Sequence, residues 1–192
     1  MEDTVTHDKG VEVFQIKDWL QQRYSPLEVE KVIQMLCPDA RDMFTSPVAN
    51  QWYSLELIRE LYAAIFDVLK DKDPRALVDY GRFSAEQSSS GLLKFLMKFI
   101  DMDTVIKRMK TFWKHYHKGG KITASELVEE NGRKKRIISF QGYDAGEAAC
   151  LSPEGYLTVI AQRAGAKNVI VRKKTCIHKG DDVCSWEVSW KE

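Results

Sequence analysis

Three cysteines near the end of the chain are the residues whose types and spacing could do chemistry. Cys150, Cys176 and Cys184 form the pattern C-x25-C-x7-C, and His178 lies between the last two. Zinc in proteins takes four nitrogen, sulfur or carboxylate ligands in a tetrahedron, and a site closed by four protein ligands is structural. These four residues therefore predict a Cys₃His site for a structural zinc ion.

The cysteine pattern leaves other interpretations open. An oxygen of Asp181, Asp182 or Glu147 could supply the fourth ligand in place of the histidine. Free cysteine is among the residue types most often buried, so all three could be core thiols. A disulfide or redox pair of Cys176 with Cys184 is a third interpretation, although disulfides are uncommon in a reducing cytoplasm.

A second group of residues consists of aromatic side chains that could line a pocket. They come from a predicted helix, from the hairpin that follows it and from the segment after Cys150: Trp113, Tyr116, Phe140 and Tyr156. Aromatic side chains contribute strongly to packed cores and to binding sites alike, so the sequence does not separate the two. The expectation is a pocket for a small hydrophobic ligand, aromatic or acyl.

Helix start signals dominate the first part of the chain. Residues 25–28, Ser-Pro-Leu-Glu, combine a capping serine, a proline at the first helical position and a glutamate that completes a capping box. Ser54 is expected to cap the next helix, and Asp73-Pro74 is expected to open another. Further helices are predicted over residues 92–100 and 104–116 from their apolar spacing.

The hydrophobic period changes after Gly119-Gly120. Asn131-Gly132 is the preferred pair for a type I′ turn, because both central residues need a positive φ. It predicts a hairpin formed by residues 121–130 and 133–141. Beyond the hairpin, the pattern predicts a helix over residues 144–164 and strands over 168–174 and 183–190.

These elements predict an α+β fold in which an N-terminal helical part packs on a small antiparallel sheet with helices. Residues 1–10 are polar and are expected to be a disordered leader. Residues 11–104 form the predicted helical part, and residues 105–192 form the predicted α+β domain. The second part is small for an independent core, so the two parts are expected to pack together or the second to dimerise.

The charge balance excludes some classes of function. The chain has 29 basic and 28 acidic residues, a formal net charge of +1, whereas a dedicated nucleic-acid binder usually carries a basic excess. No apolar run approaches the roughly 20 residues that cross a bilayer. Residues 1–10 lack the apolar region of a secretory signal, so a cytoplasmic location is expected.

The cysteine pattern, with Gly155-Tyr156 after the first cysteine and Gly180-Asp181 before the last, resembles the 4-vinyl-reductase domain family over residues 105–190. The helical part, with Trp52-Tyr53, is similar to stand-alone bacterial relatives of that domain in myxobacteria and other deltaproteobacteria. The resemblance implies a fold similar to the vesicle-tethering TRAPP subunits, which hold an acyl chain in a hydrophobic tunnel. Members of the family often form homodimers.

The resemblance also implies a ligand and a metal. In the phenol-sensing bacterial activators, the same domain binds an aromatic effector beside a structural zinc held by three cysteines and one glutamate. The family's glutamate falls on Lys173 here, and a lysine that is protonated near neutral pH is not a normal zinc ligand. A histidine near the end of the corresponding helix contacts the effector in those sensors, and His115 is the nearest match.

The expected function is therefore a non-catalytic sensor or adaptor that binds a small hydrophobic molecule and acts through a protein partner or a homodimer. The sequence contains no nucleotide fingerprint and no cluster of acid, base and nucleophile, so an enzyme is not expected. One alternative is an enzyme or accessory protein of tetrapyrrole metabolism, which the family name suggests. A second alternative is an interaction scaffold with a filled core and no ligand.

Overall fold

The computed structural model of the chain describes residues 4–88 and 101–191 and has an α+β architecture, as predicted. The described helices are α1 (Val11–Arg23), α2 (Pro26–Met35), α3 (Pro38–Thr45), α4 (Leu55–Leu69), α5 (Ala76–Ser88), α6 (Met102–Tyr116) and α7 (Ser152–Arg163). The strands are β1 (His7–Lys9), β2 (Trp52–Ser54), β3 (His117–Lys118), β4 (Lys121–Ala124), β5 (Val128–Glu130), β6 (Arg133–Gln141), β7 (Lys167–Thr175) and β8 (Cys184–Lys191). The helix predicted over residues 92–100 lies outside the described residues.

The strands form two antiparallel sheets. The larger sheet has the order β4-β6-β8-β7, and β5 pairs with the beginning of β6. The smaller sheet has the order β2-β1-β3, so that β1 lies between strands that follow it by many residues. No helix in the described part of the chain is both long and apolar enough to span a membrane.

Several local predictions are confirmed. The Ser25 side chain accepts from the backbone N–H of Glu28, and the Glu28 carboxylate accepts from the backbone N–H of Ser25 at 2.8 Å, which completes the capping box. Ser54 accepts from the backbone N–H of Leu57 at the start of α4. Asn131 and Gly132 have φ values of 52° and 68°, the left-handed pair that a type I′ hairpin turn requires.

Two predicted elements are divided in the structure. Residues 121–130 form β4 and β5, with Ser125 between them, whose hydroxyl accepts from the backbone N–H of Ile137 at 2.9 Å and so replaces a ladder bond. The predicted helix over 144–164 begins as an α-helix only at Ser152, after a 3₁₀ turn over Ala148–Leu151. Proline lacks a backbone N–H and is tolerated in the first turn of a helix, and this places the start of α7 beside Pro153.

The N-terminal segment differs from the expected disordered leader. His7–Lys9 forms the central strand of the three-stranded sheet, and the backbone N–H of Val5 donates to the carbonyl of Gly142. Asp8 within this strand is fully buried. Its partners lie more than 100 residues further along the chain, which is why local polarity gives no sign of the strand.

A close helix crossing joins the two parts of the chain. A Cβ atom added to Gly81 in α5 would lie 1.9 Å from the carbonyl oxygen of Ser152. A Cβ atom added to Gly155 in α7 would lie 1.9 Å from the carbonyl oxygen of Val78. The backbones of α5 and α7 therefore touch, and each helix needs a glycine where the other approaches.

A candidate ligand cavity

A cavity of about 300 Å³ lies between the helical part, α6, the larger sheet and α7. Its volume falls at the lower end of the range of known small-molecule pockets. Its wall is mostly apolar, and its aliphatic, methionine and alanine side chains include Met102, Ile106, Met109, Ile122, Ile138, Leu157, Ile160 and Ala161. A cavity of this kind favours a ligand that is itself largely apolar.

Four of the five predicted ligand-binding residues lie in the cavity wall: Trp113, Tyr116, Phe140 and Tyr156. The indole N–H of Trp113 donates to the carbonyl of Gly119 at 3.1 Å, so this ring presents an apolar surface. His115 is exposed instead, and its Nε2 lies 3.4 Å from Lys9 Nζ. His117, two residues later, lies in the cavity wall instead. Residues two positions apart at a helix end do not share a face, so the two histidines point in different directions.

A group of buried and half-buried polar side chains, here called the acid cluster, comprises Asp8, Glu12, Tyr62, His117 and Tyr143. His117 Nδ1 lies 2.6 Å from one oxygen of Asp8, and the Tyr143 hydroxyl donates to the other at 3.0 Å. The Tyr62 hydroxyl donates to Glu12 at 2.7 Å. All members except Asp8 line the cavity. The sequence interpretation missed this cluster, because β1, α1, α4, β3 and the segment after β6 each contribute one residue.

Burial raises the pKa of three members of the acid cluster. Loss of solvent, followed by the nearby Asp8 carboxylate, raises the pKa of Glu12 from 4.5 to about 7. Burial also raises the pKa of Tyr62 and of Tyr143 well above the usual value, so both stay protonated hydrogen-bond donors. Glu12 therefore changes charge near neutral pH at the wall of an apolar cavity.

A cationic side chain also reaches the cavity. Arg136 lines it and donates through Nη1 to the carbonyl of Ser125 at 2.7 Å and through Nη2 to Asp103 at 3.2 Å. Its buried Nε has no hydrogen-bond partner among the described residues. Arg108 lines the same cavity from α6. A ligand with an acceptor group would find donors at this position.

The three predicted cysteine ligands meet in space, whereas the predicted histidine ligand does not join them. The Sγ atoms of Cys150, Cys176 and Cys184 lie within 4.8 Å of one another. His178 Nε2 lies 3.3 Å from an oxygen of Asp144 instead. The ammonium group of Lys173 approaches the thiols, with Nζ 3.7 Å from Cys184 Sγ.

Comparisons with known proteins found matches among solved structures. No family model matches the sequence, and the curated proteins contain no match. An H-NOX protein from S. oneidensis in the Fe(II)NO state has a TM-score of 0.67 at 17% identity, over 96% of this chain and 99% of that one. The Fe(II) unliganded H-NOX protein from K. algicida has a TM-score of 0.70 at 10% identity, over 96% and 97%.

A third similar structure concerns modulation of heme redox potential through protein-induced porphyrin distortion. It has a TM-score of 0.59 at 11% identity, over 96% of this chain and 99% of that one. The similar structures thus extend over nearly the whole length of each chain, and the likeness includes the helical part as well as the sheet.

Two sequence interpretations are corrected by these findings. The resemblance to 4-vinyl-reductase and TRAPP-type domains is wrong, since the similar solved structures are H-NOX proteins. The structural zinc is also wrong, since the similar proteins are described with iron and heme. The local geometry agrees, because the Lys173 ammonium lies beside the thiols and His178 contacts Asp144. The chain has the α+β fold of the H-NOX proteins.

Proposed function

We propose that the chain is a sensor domain that binds a small molecule in its cavity. The observation that carries this proposal is an apolar cavity of about 300 Å³ with the acid cluster in its wall. Known ligand pockets combine an apolar lining with a few polar groups that orient the ligand, and this cavity has that composition.

Heme is the first ligand to test, because the similar structures are described with iron and heme. Heme iron is most often held by histidine, and a ligating histidine usually donates its other ring N–H to a carboxylate or carbonyl. His117 lines the cavity and has Nδ1 directed at Asp8, so its Nε2 would hold the iron. Arg108 in the cavity wall and the Nε of Arg136, which is unpartnered among the described residues, would donate to the propionates. Bound heme would supply an iron that can bind a diatomic gas.

A heme titration tests this assignment. We expect purified protein mixed with hemin to develop a Soret band that saturates at one heme per chain. His117→Ala should abolish or shift the band, because the axial ligand is lost. His115→Ala serves as the control, since His115 is exposed and outside the cavity wall, and it should leave the band unchanged. Absence of a saturable Soret band in the wild-type protein would exclude heme.

A hydrophobic organic molecule, aromatic or acyl, is the second candidate ligand. The mostly apolar wall favours it, and the hydroxyls and carboxyl of the acid cluster would bind its polar group. A protein partner or a second copy of the chain would respond to whether the cavity holds a ligand. Strand β7 lies at the edge of the larger sheet with Ile170 exposed, and such an edge can pair with another strand.

A cavity-filling variant tests whether the cavity is the binding site. Ala161 is buried in the wall, so Ala161→Leu should occupy part of the space and weaken binding of anilinonaphthalene sulfonate by at least about tenfold, or about 1.4 kcal/mol. The neighbouring Gln162 is exposed, and Gln162→Leu should bind the probe like wild type. Mass spectrometry of denatured wild-type protein would identify a co-purified molecule. Equal probe affinity in both variants would contradict the cavity as the site.

A further inference from the structure

We propose that the cavity binds an organic acid with a long apolar body, and that the carboxylate of this acid pairs with Arg136 while the apolar body lies along the larger sheet. This ligand class rests on the proposed function, and it gives the second candidate ligand a charge and an orientation. The position of Arg136, the apolar surface beside it and the acid cluster at the other end each support one part of the assignment.

Arg136 is a charged residue on an apolar surface. The other residues of the larger sheet that line the cavity are Ile122, Ile138, Phe140 and Val188. Arg136 lies in β6, pairs in register with Val188 of β8, and has only 14% of its side chain exposed. Burial removes water from a charged group, so a cation in this position needs an anion or hydrogen-bond acceptors in place of the water.

The protein partners of Arg136 satisfy only part of its guanidinium group. Nη1 donates to the carbonyl of Ser125 at 2.7 Å, and Nη2 donates to Asp103 at 3.2 Å. The Asp103 side chain is 65% exposed, so solvent screens this ion pair. The buried Nε has no hydrogen-bond partner among residues 4–88 and 101–191. A ligand carboxylate would supply an acceptor for the unpaired donor and a second negative charge for the guanidinium.

An apolar surface leads from Arg136 along β6 toward the acid cluster. Side chains two residues apart share one face of a strand, so Arg136, Ile138 and Phe140 follow one another along the cavity. Four residues of a strand span about 13 Å. Ile122, which pairs with Phe140, and Leu157 of α7 add to the same wall. This surface suits an acyl chain or an aromatic body that carries its charge at one end.

The acid cluster opposes the reverse orientation of such a ligand. The ring centroids of Phe140 and Tyr143 are 6.3 Å apart, so the far end of the apolar surface adjoins the cluster. The hydroxyls of Tyr62 and Tyr143 already donate to Glu12 and to Asp8. A ligand carboxylate at this end would find these donors engaged and like-charged groups beside it, and like charges repel at short range. A neutral polar group can bind there, whereas the carboxylate belongs at the opposite end.

Calorimetric titration of the full chain with decanoate and with 1-decanol separates the charge from the apolar body, because the two ligands have the same number of carbons. We expect the wild-type protein at pH 8 to bind decanoate at least about tenfold more tightly than decanol. Arg136→Met should remove this difference and leave decanol binding unchanged, which also reports that the cavity of the variant is intact. Arg172→Met is the matched control, since Arg172 is exposed on β7 of the same sheet, and it should bind both ligands like wild type.

A second variant tests Arg136 without removing it. Asp103 is exposed in the first turn of α6 and competes with a ligand carboxylate for the guanidinium group. Asp103→Asn should therefore tighten decanoate binding by roughly threefold, the scale of an exposed ion pair, and leave decanol binding unchanged. Asp39→Asn is the matched control, since Asp39 is exposed in the first turn of α3, and it should have no effect. Weaker decanoate binding by Asp103→Asn would count against the pairing.

Failure of the ligand class and failure of the proposed function give different results. Equal wild-type affinity for the acid and the alcohol, or unchanged decanoate affinity in Arg136→Met, would overturn the pairing with Arg136. If Ala161→Leu still weakens decanol binding in that case, the cavity remains the binding site and only the ligand class is wrong. If Ala161→Leu weakens the binding of neither decanoate, decanol nor anilinonaphthalene sulfonate, the proposed function fails, and the ligand class fails with it.

Discussion

Gly155→Ala is expected to destabilise the protein by about 3 kcal/mol or more, although alanine is the better helix former by about 1 kcal/mol. The added Cβ would lie 1.9 Å from the carbonyl oxygen of Val78 and 2.8 Å from the backbone nitrogen of Arg82. Both contacts are backbone atoms of α5, so no side chain can rotate away. The helices would have to separate, and the contacts between α5 and α7 would be lost together.

Chemical denaturation measures this effect. Gln162→Ala, in the same helix and exposed, should change the free energy of unfolding by less than about 0.5 kcal/mol. Gly81→Ala should resemble Gly155→Ala, because its Cβ would lie 1.9 Å from the carbonyl oxygen of Ser152. A Gly155→Ala protein as stable as the Gln162→Ala protein would show that the two helices do not touch at this position.

Glu12→Gln is expected to stabilise the protein at alkaline pH and to leave its stability near pH 5 almost unchanged. The pKa of Glu12 is about 7 in the folded protein, against an ordinary value of 4.5. Between these values the folded state holds a proton that the unfolded state has lost. The stability due to Glu12 is therefore complete below about pH 4.5 and is lost as the pH rises through 7. The loss amounts to at most about 3 kcal/mol at 1.36 kcal/mol per pKa unit.

Glutamine keeps an oxygen that can accept from Tyr62 and cannot ionise, so the variant should not show this loss. The measurement is urea denaturation of wild type and variant from pH 5 to 8.5. Glu56→Gln is the control, because Glu56 is exposed in the first turn of α4. Parallel pH profiles of wild type and Glu12→Gln would contradict burial of this carboxyl at the cavity wall.

The features that follow local rules were predictable from the sequence. The capping box at Ser25, the cap at Ser54 and the Asn131-Gly132 turn each depend on residues within a few positions of one another. The aromatic residues of α6 and α7 that were expected to line a pocket lie in the cavity wall. Helical spacing determines which residues share a face, so their position could be inferred locally.

The features that depend on distant residues were not predictable. Asp8 looked like part of a polar leader, and nothing near it indicates that His117 and Tyr143 complete its hydrogen bonds. The cysteine spacing correctly predicted that the three thiols lie close together. It led, however, to the wrong family and to the wrong metal. The spacing of the cysteines gives no sign that the ammonium group of Lys173 lies beside the Cys184 thiol.

Strand β1 has a consequence for the order in which the fold can assemble. Asp8 and His117 are 109 residues apart, and ribosomes add about 5–20 residues per second. Asp8 thus leaves the ribosome roughly 5–20 s before His117, which contacts one of its oxygens, and Tyr143 follows later still. Until then a carboxylate that is fully buried in the native protein must stay hydrated, and β1 must stay unpaired with β3. Strand β1 is synthesised before the other described strands and is therefore among the last to be placed, so folding of the helical part can precede closure of the cavity.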